Sequence, residues 1–293
     1  MQIGTTTFRT ALVLAIVSIV LVLTGCTGAD GEGSNDVYAD LGPEHVHGLG
    51  LNPADGSLYI ATHTGLFRMP EDSDDSERVG DRLQDTMGFA VIGPDRFLGS
   101  GHPDLRDDLP PLLGLIESSD AGRTWESISL LGEADFHALR VSGSRVVGYD
   151  AGGARVMSSA DGGRAWTTLD TPAEISDLVL DPDSSARIVA ASAAGVIATS
   201  DEGDTWTRLV TDADILAWPA GDALYGFAAD GAVTVSHDRG ASWEQVGDLG
   251  GEPAAAMAAD RDTLVVALHD ARIISSGDGG RSWSKGAWTS GDQ

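Results

Sequence analysis

Ser118-Ser119-Asp120-Ala121-Gly122-Arg123-Thr124-Trp125 is the first of five copies of one eight-residue phrase in this chain. The other copies are Ser159–Trp166, Thr199–Trp206, Ser236–Trp243 and Ser276–Trp283, and the shared pattern is Ser/Thr-x-Asp-x-Gly-x-(Thr/Ser/Ala)-Trp. Successive Asp residues of the pattern are 41, 40, 37 and 40 residues apart. Because a period near 40 residues carried by short strands is typical of propeller blades, the repeat predicts a β-propeller.

Each copy has the composition of a turn between two strands. The Asp carboxylate can accept hydrogen bonds from backbone N–H groups ahead of it, and the Gly supplies the positive φ that closes the turn. The first hydroxyl can add a local hydrogen bond, and the Trp opens the next strand with a large apolar surface. We therefore interpret the five Asp residues as structural rather than as calcium or sugar ligands. They are Asp120, Asp161, Asp201, Asp238 and Asp278.

The phrase resembles the Asp-box, or BNR repeat, of sialidases and related propellers, over residues 44 to 288. The resemblance implies that each phrase lies between the third and fourth strands of a blade, away from the face that carries catalysis in sialidases. Sialidases use three arginines, the first in an Arg-Ile-Pro phrase, together with a Tyr–Glu pair and an Asp. This chain has no Arg-Ile-Pro phrase, and no Glu can be paired with Tyr149. Sialidase activity is therefore not expected.

Six units can be laid out along the chain, each opening with an apolar strand. The openings are His45–Leu49, Met87–Val91, Phe136–Leu139, Ile175–Leu178, Ile215–Trp218 and a strand near Ala254. The first unit lacks the phrase, and Gly65–Arg68 takes the place of its third strand. The pattern predicts an all-β, six-bladed propeller. Seven blades are the alternative, if Asp36–Leu41 and the C-terminal tail contribute strands.

A leader precedes the repeats. The apolar run Ala11–Leu23 has the length of a signal-peptide core and is short for a bilayer span. It ends in Leu23-Thr24-Gly25-Cys26, which resembles the bacterial lipobox and contains the single cysteine of the chain. The resemblance implies cleavage before Cys26 and lipid attachment to its sulfur, which would anchor the chain on the extracytoplasmic face of the cell membrane. The expected segments are a signal peptide at 1–25, a lipidated tether at 26–43, the propeller at 44–288 and a tail at 289–293.

The charge balance argues against two kinds of partner, nucleic acid and an anionic lipid surface. The chain carries 45 acidic and 18 basic residues, a net charge of −27. Nucleic acid is not an expected partner, because its phosphates require a basic surface. The same argument excludes direct electrostatic docking on anionic lipid, so contact with the membrane would come through the lipid anchor.

Histidines fall at positions that a propeller would bring to one mouth of its central channel. His47 and His137 lie at similar points in the first strands of units one and three, and His63 and His102 lie at the ends of second strands. The ligand or metal candidates are His47, His63, His102, His137 and Asp150, with Tyr149 and His269 at related positions. Neutral imidazole is a common ligand of transition metals. Strand-end histidines also form ordinary hydrogen bonds, so a metal site, an organic-ligand site and a structural role all stay open.

A charged insertion in unit two is the second candidate region. Within Ser100–Asp108 it places an imidazole, an arginine and three carboxylates, with Asp104, Arg106 and Asp107 as the loop candidates. Carboxylate pairs can serve glycoside hydrolysis, although solvated loop charge is commoner. The phrases His45–Leu49, Ala61–Phe67 and Gly101–Asp104 also resemble a family of bacterial lipoproteins labelled glycosylhydrolase-like.

Three functions follow from these patterns. The leading hypothesis is a lipid-anchored extracytoplasmic propeller that binds a ligand or protein partner at the channel mouth. It is supported by the resemblance to the Asp-box superfamily, which also includes sortilin-type receptors and photosystem assembly factors that bind rather than cleave. The alternatives are a glycoside hydrolase that uses the insertion carboxylates and a metal-binding protein that uses the channel histidines.

Overall fold

The computed structural model describes residues 42–71, 73–261 and 263–285. In this part of the chain the regular structure consists of six four-stranded sheets, each built from four consecutive antiparallel strands. We number the sheets as blades 1 to 6. The predicted signal peptide, the lipidation site Cys26, most of the tether and the tail lie outside the described residues. Within them, no helix is long and apolar enough to span a membrane.

The strands follow the blades in chain order. Blade 1 contains β1 (Val46–Leu51), β2 (Leu58–Thr62), β3 (Gly65–Met69) and β4 (Glu77–Arg78). Blade 2 contains β5 (Asp85–Gly93), β6 (Arg96–His102), β7 (Leu115–Ser118) and β8 (Glu126–Ser129). Blade 3 contains β9 (Phe136–Ser142), β10 (Arg145–Asp150), β11 (Arg155–Ser159) and β12 (Thr167–Leu169).

Blade 4 contains β13 (Ile175–Asp181), β14 (Ser184–Ser192), β15 (Ile197–Thr199) and β16 (Thr207–Arg208). Blade 5 contains β17 (Ile215–Ala220), β18 (Ala223–Phe227), β19 (Ala232–Ser236) and β20 (Glu244–Asp248). Blade 6 contains β21 (Ala254–Ala259), β22 (Leu264–Leu268), β23 (Ile273–Ser276) and β24 (Ser284–Lys285).

The blades close into a ring through their first strands. These strands pack against one another in chain order, and β21 of blade 6 packs against β1 of blade 1. Six buried apolar clusters occupy the six interfaces between neighbouring blades. The closing cluster joins Leu58 and Ile60 of blade 1 to Val265 of blade 6. The predicted six-bladed propeller is confirmed, and the six blades of the described residues close the ring.

Small residues let the first strands approach one another. A Cβ atom added to Gly88 of β5 would lie 2.4 Å from the carbonyl oxygen of Phe136 in β9. One added to Gly48 of β1 would lie 2.9 Å from the Cβ of Phe89 in β5. Real Cβ contacts at these distances would force the backbones apart, so glycine at these positions sets the spacing of the ring.

The five repeated phrases form turns between the third and fourth strands of blades 2 to 6, and we call them the repeat turns. In the first, Ser118 Oγ accepts the N–H of Gly122 at 2.8 Å and donates to Asp120 Oδ1 at 3.0 Å. Thr124 donates its N–H to Oδ1 at 2.9 Å and its hydroxyl to Oδ2 at 2.7 Å. The carboxylate is therefore engaged by its own turn. Ala165 has no hydroxyl, so the second turn lacks the last of these bonds.

The repeat turns are expected to make stability sensitive to acid. The pKa values of three of their carboxylates are lowered to about 2, chiefly by donated hydroxyl hydrogen bonds; these are Asp201, Asp238 and Asp278. A lowered folded-state pKa contributes stability above the unfolded value of 3.8, and that contribution is lost as pH falls towards 2. We predict that denaturant unfolding shows Asp201→Asn less stable than the parent at pH 6, with the difference shrinking between pH 4 and 2. The exposed Asp212→Asn is the control, and a pH-independent difference for Asp201→Asn would contradict the assignment.

Candidate functional site

The antiparallel order of each blade separates two faces of the ring. The repeat turns and the hairpins between first and second strands lie on one face, which we call the repeat-turn face. The connections from second to third strands and from each blade to the next lie on the other, which we call the mouth face. His47 and His137 lie near the starts of β1 and β9, His63 directly follows β2, and His102 ends β6. All four therefore belong to the mouth face.

An irregular pairing at the start of the first strand positions the channel histidines. In five blades one residue there has no partner in the second strand, which is the arrangement of a β-bulge. The unpaired residues are His47, Met87, His137, Ser176 and Ala255. A bulge re-aims the extra side chain relative to a regular strand. Four of the five, all except Met87, line a common cavity of about 80 Å³ within the ring of first strands.

His47, His63 and Asp85 meet at this mouth, and we call them the mouth cluster. Asp85 Oδ1 lies 2.8 Å from Nδ1 of His63 and 3.7 Å from Nε2 of His47. The rings of His47 and His63 stand edge to face with centroids 4.3 Å apart, and the ring of His45 lies 5.2 Å from that of His63. One donor atom from each cluster member lies within 4.8 Å of the others, so the three side chains can hold a single ion.

Burial shapes the chemistry of His47. Its pKa is lowered to about 4, first by burial and then by the neighbouring His63, while Asp85 acts in the opposite direction. The imidazole is therefore neutral at ordinary pH and keeps a lone pair on one nitrogen. Its Nε2 is buried and has no hydrogen-bond partner among the described residues.

A second histidine–carboxylate group adjoins the first. Asp135 Oδ2 lies 2.9 Å from Nε2 of His137 and 3.6 Å from Nε2 of His102. The other ring nitrogen of His102 lies 2.8 Å from the carbonyl oxygen of Pro111, which makes that nitrogen the donor in the neutral ring. Asp135 Oδ1 is buried without a hydrogen-bond partner among the described residues. The mouth thus carries two imidazole–carboxylate groups side by side.

The two carboxylates of these groups are not among the site residues that the sequence predicts. Asp85 and Asp135 precede Thr86 and Phe136, the residues at which the bulges of β5 and β9 begin. The equivalent positions of blades 4 and 5 also carry acids, Glu174 and Asp214. An acid at one register position in four blades is a signal that alignment on the strand starts could have found.

Asp150 ends the second strand of blade 3, as predicted, but its described partners are not imidazoles. It is buried at the end of β10, where it accepts the N–H of Asp135 at 3.1 Å and pairs with Arg155 at 2.8 Å. Its carboxylate therefore holds the backbone of Asp135 in place, and Asp150 belongs to neither imidazole group. Tyr149 packs in the apolar cluster between blades 3 and 4, and burial raises its pKa. His269 is exposed just past β22.

The charged insertion is tied down by ion pairs. Asp104 is buried, accepts the N–H of Leu83 at 2.8 Å and is held by the guanidinium of Arg106 at 2.6 Å. These contacts, with the Arg106 pair first, hold its pKa far below its usual range. Asp107 pairs with Arg82 in the same way. Asp104 therefore has a structural role, and its low pKa makes it a poor proton donor for hydrolysis.

A buried ion pair crosses the channel wall below the mouth. Arg140 of β9 contacts Asp177 of β13 at 2.6 Å, and Asp177 also accepts the N–H of Leu216 in β17 at 2.8 Å. One carboxylate therefore joins blades 3, 4 and 5. Burial raises the pKa of Asp177, and Arg140 and the two backbone donors oppose that effect. Toward the repeat-turn face the channel opens into a cavity of about 570 Å³ lined by Leu51, Trp218 and Met257 among others.

No protein-family model and no curated protein matches the chain. Its structure is similar to that of a GH74 xyloglucanase from Xanthomonas campestris, at 18% identity and a TM-score of 0.55 over 83% of this chain and 45% of the enzyme. A structure described as YCF48 bound to D1 peptide matches at 14% identity and a TM-score of 0.58, over 80% of this chain and 93% of that one. The extracellular domain of a B. thetaiotaomicron protein described as a one component system also matches. The identity is 11% and the TM-score is 0.56, over 80% of this chain and 32% of that domain.

These similarities establish the β-propeller fold. The chain spans 45% of the xyloglucanase and 32% of the extracellular domain. At such identities the site must be interpreted from the residues of this chain alone.

Proposed function

We propose that this protein is a binding module, anchored by lipid at Cys26 on the extracytoplasmic face of the membrane, that binds a protein partner through its mouth face. The repeated phrase and its place between third and fourth strands support membership of the Asp-box group of propellers. The mouth cluster supports a polar ligand contact at the centre of the same face.

The large apolar side chains that are exposed in the described residues all lie in connections of the mouth face; they are Leu105, Leu109, Leu131 and Val210. Leu105 is fully exposed. Apolar side chains exposed on the loops of one face are candidate contacts for another protein, because their apolar surface would leave water in a complex.

Ion pairs and hydrogen bonds hold the charged insertion of blade 2, which carries Leu105 and Leu109, in one conformation. Leu105 lies between Asp104 and Arg106, whose ion pair is fastened to residues 81 and 83 by hydrogen bonds of 2.5 and 2.8 Å. The N–H of Gly132 bonds to the carbonyl of Leu112 at 2.8 Å, which ties the insertion to the connection that carries Leu131. A contact surface ordered before binding loses less entropy in the complex.

Hydrolysis of a glycosidic bond is the weaker candidate. It needs one carboxylic acid that can donate a proton and a second carboxylate across the scissile bond. The insertion carboxylates Asp104 and Asp107 are instead paired with Arg106 and Arg82. The GH74 similarity concerns the fold and supplies no assigned catalytic residue.

Site-specific photo-crosslinking in membranes tests the proposal. A benzophenone side chain at position 105 is expected to give a discrete protein adduct, and the same side chain at the exposed position 202 of a repeat turn is not. Excess unlabelled propeller should compete the adduct away, and a Leu105→Ser, Leu109→Ser, Leu131→Ser variant should not compete. Equal adducts from positions 105 and 202, or equal competition by the triple variant, would overturn the assignment of the face.

The anchor is tested separately. Cys26→Ala is expected to abolish incorporation of an alkyne-tagged fatty acid that labels the parent chain, since the sulfur that would carry the lipid is lost. An unlabelled parent chain, or a Cys26→Ala chain labelled like the parent, would contradict lipid anchoring and leave the mouth-face proposal untouched.

A further inference from the structure

We propose that His47, His63 and Asp85 bind one divalent transition-metal ion at the channel mouth. The inference rests on the proposed use of the mouth face for binding, and it adds the chemical class of the ligand at its centre.

The spacing of the donor atoms fits such an ion. Bonds of about 2.1 Å from a metal to imidazole nitrogen and carboxylate oxygen place neighbouring donor atoms about 3.0–3.4 Å apart. The two distances to Asp85 Oδ1, 2.8 Å from His63 and 3.7 Å from His47, bracket that range. The donor nitrogens of His47 and His63 lie within 4.8 Å of each other, so a side-chain movement of up to about 1.5 Å at the channel mouth would bring all three donor atoms to metal-binding distances.

The missing hydrogen bonds of the donor atoms also favour a shared ion. His47 Nε2 and Asp85 Oδ1 are buried and have no hydrogen-bond partner among the described residues. Buried polar atoms are nearly always satisfied by protein, water or an ion, because an unpaired one costs free energy. His63 Nδ1 approaches Asp85 Oδ1 to 2.8 Å, but their alignment is not that of a hydrogen bond. A shared cation would satisfy all three atoms at once.

The number of donor atoms and the acidic residues nearby favour a cation that keeps coordination positions free for water or an external ligand. Two imidazoles and one carboxylate occupy three coordination sites, a number typical of metals that also bind water or an external ligand. Asp135 and Glu174 stand at the register position of Asp85 in the next two blades, which makes this side of the mouth acidic. The side chain of His63 is 44% exposed, so an ion held there is reachable from outside.

Zn²⁺ binding to metal-stripped, untagged protein that begins at residue 27 tests the inference. This chain retains every described strand and all six blade interfaces. Isothermal titration calorimetry is expected to show about one Zn²⁺ per chain, with a matching metal content by mass spectrometry after dialysis. His63→Gln, His47→Gln and Asp85→Asn should each weaken binding by at least about 10-fold, because even residues that only support a metal ligand cost about 10–100-fold when changed.

Two matched controls make the assignment specific. His137→Gln removes the imidazole at the equivalent bulge of blade 3, and His237→Gln removes an exposed imidazole in a repeat turn. Both should bind Zn²⁺ like the parent, and Co²⁺ should give a visible d–d spectrum that is lost only in the mouth-cluster variants. Far-ultraviolet circular dichroism and unfolding midpoints check that each variant is folded.

Two outcomes would overturn the metal site. One is the absence of stoichiometric Zn²⁺ binding in the folded parent protein. The other is equal weakening by His237→Gln and His63→Gln, which would mark adventitious binding. Failure here is distinguishable from failure of the proposed function, because the Leu105 crosslink and its competition by the unlabelled protein do not require the metal.

Discussion

Asp177→Ala is expected to lower the free energy of unfolding by about 3 kcal/mol, a large fraction of the stability of an ordinary domain. The substitution leaves Arg140 without its buried partner, and the backbone N–H groups of Leu178 and Leu216 lose their acceptor. Removing one member of a buried pair costs about 3–5 kcal/mol, and the lower figure applies because the side chain of Arg140 is 31% exposed and can be partly solvated. Denaturant unfolding followed by tryptophan fluorescence measures the change.

A double-mutant cycle separates the pair from the packing around it. Arg140→Met alone should destabilise the protein, and Asp177→Ala combined with Arg140→Met should cost less than the sum of the single changes. Asp177→Asn keeps the shape of the side chain and should fall between the parent and Asp177→Ala. Additive single changes would show that the ion pair does not couple blades 3 and 4.

Phe136→Ala is expected to destabilise the protein by about 3–5 kcal/mol, the usual cost of removing a fully buried aromatic ring from a core. Phe136 has no exposed surface, and its ring stacks on Trp166 with centroids 4.8 Å apart. A Cβ atom on Gly148 would lie 2.5 Å from this ring, which shows how closely the ring packs on the neighbouring strand. Chemical denaturation and the shift of the thermal midpoint measure the loss.

Phe136→Leu is the matched control, because it keeps much of the buried volume and should cost clearly less. His137 follows Phe136 at the bulge of β9, so loss of the ring should also move the His102–Asp135–His137 group. Histidine chemical shifts would report that movement. A Phe136→Ala protein as stable as Phe136→Leu would contradict the packing described here.

The fold could be predicted from the sequence because its signal is local and repeated. The five turns carry their own hydrogen-bond donors and acceptors within eight residues, so each one specifies its geometry without help from distant parts of the chain. The third strand of blade 1 is not followed by such a turn, yet the sequence predicts it at Gly65–Arg68, and β3 spans Gly65–Met69. The leader, the lipidation of Cys26 and the tail stay predictions.

The site could be predicted only in part. His47, His63, His102 and His137 were assigned to one mouth because equivalent strand positions converge in a ring. Asp85 and Asp135 were missed because they stand at the strand starts, and their role depends on bulges that arise from cross-strand pairing. Asp177 was missed because its partners, Arg140 and the N–H of Leu216, belong to two other blades. Sequence separation hides contacts of that kind.

We expect His47, at the bulge of β1, to bind one metal ion at the channel mouth together with His63 and Asp85. Anomalous diffraction at the zinc edge, from crystals of the protein that begins at residue 27 grown with equimolar Zn²⁺, locates such an ion. We predict one strong peak within bonding distance of His47 Nε2, His63 Nδ1 and Asp85 Oδ1. Peaks only at other histidines, or no peak in a crystal whose mouth cluster is ordered, would contradict it.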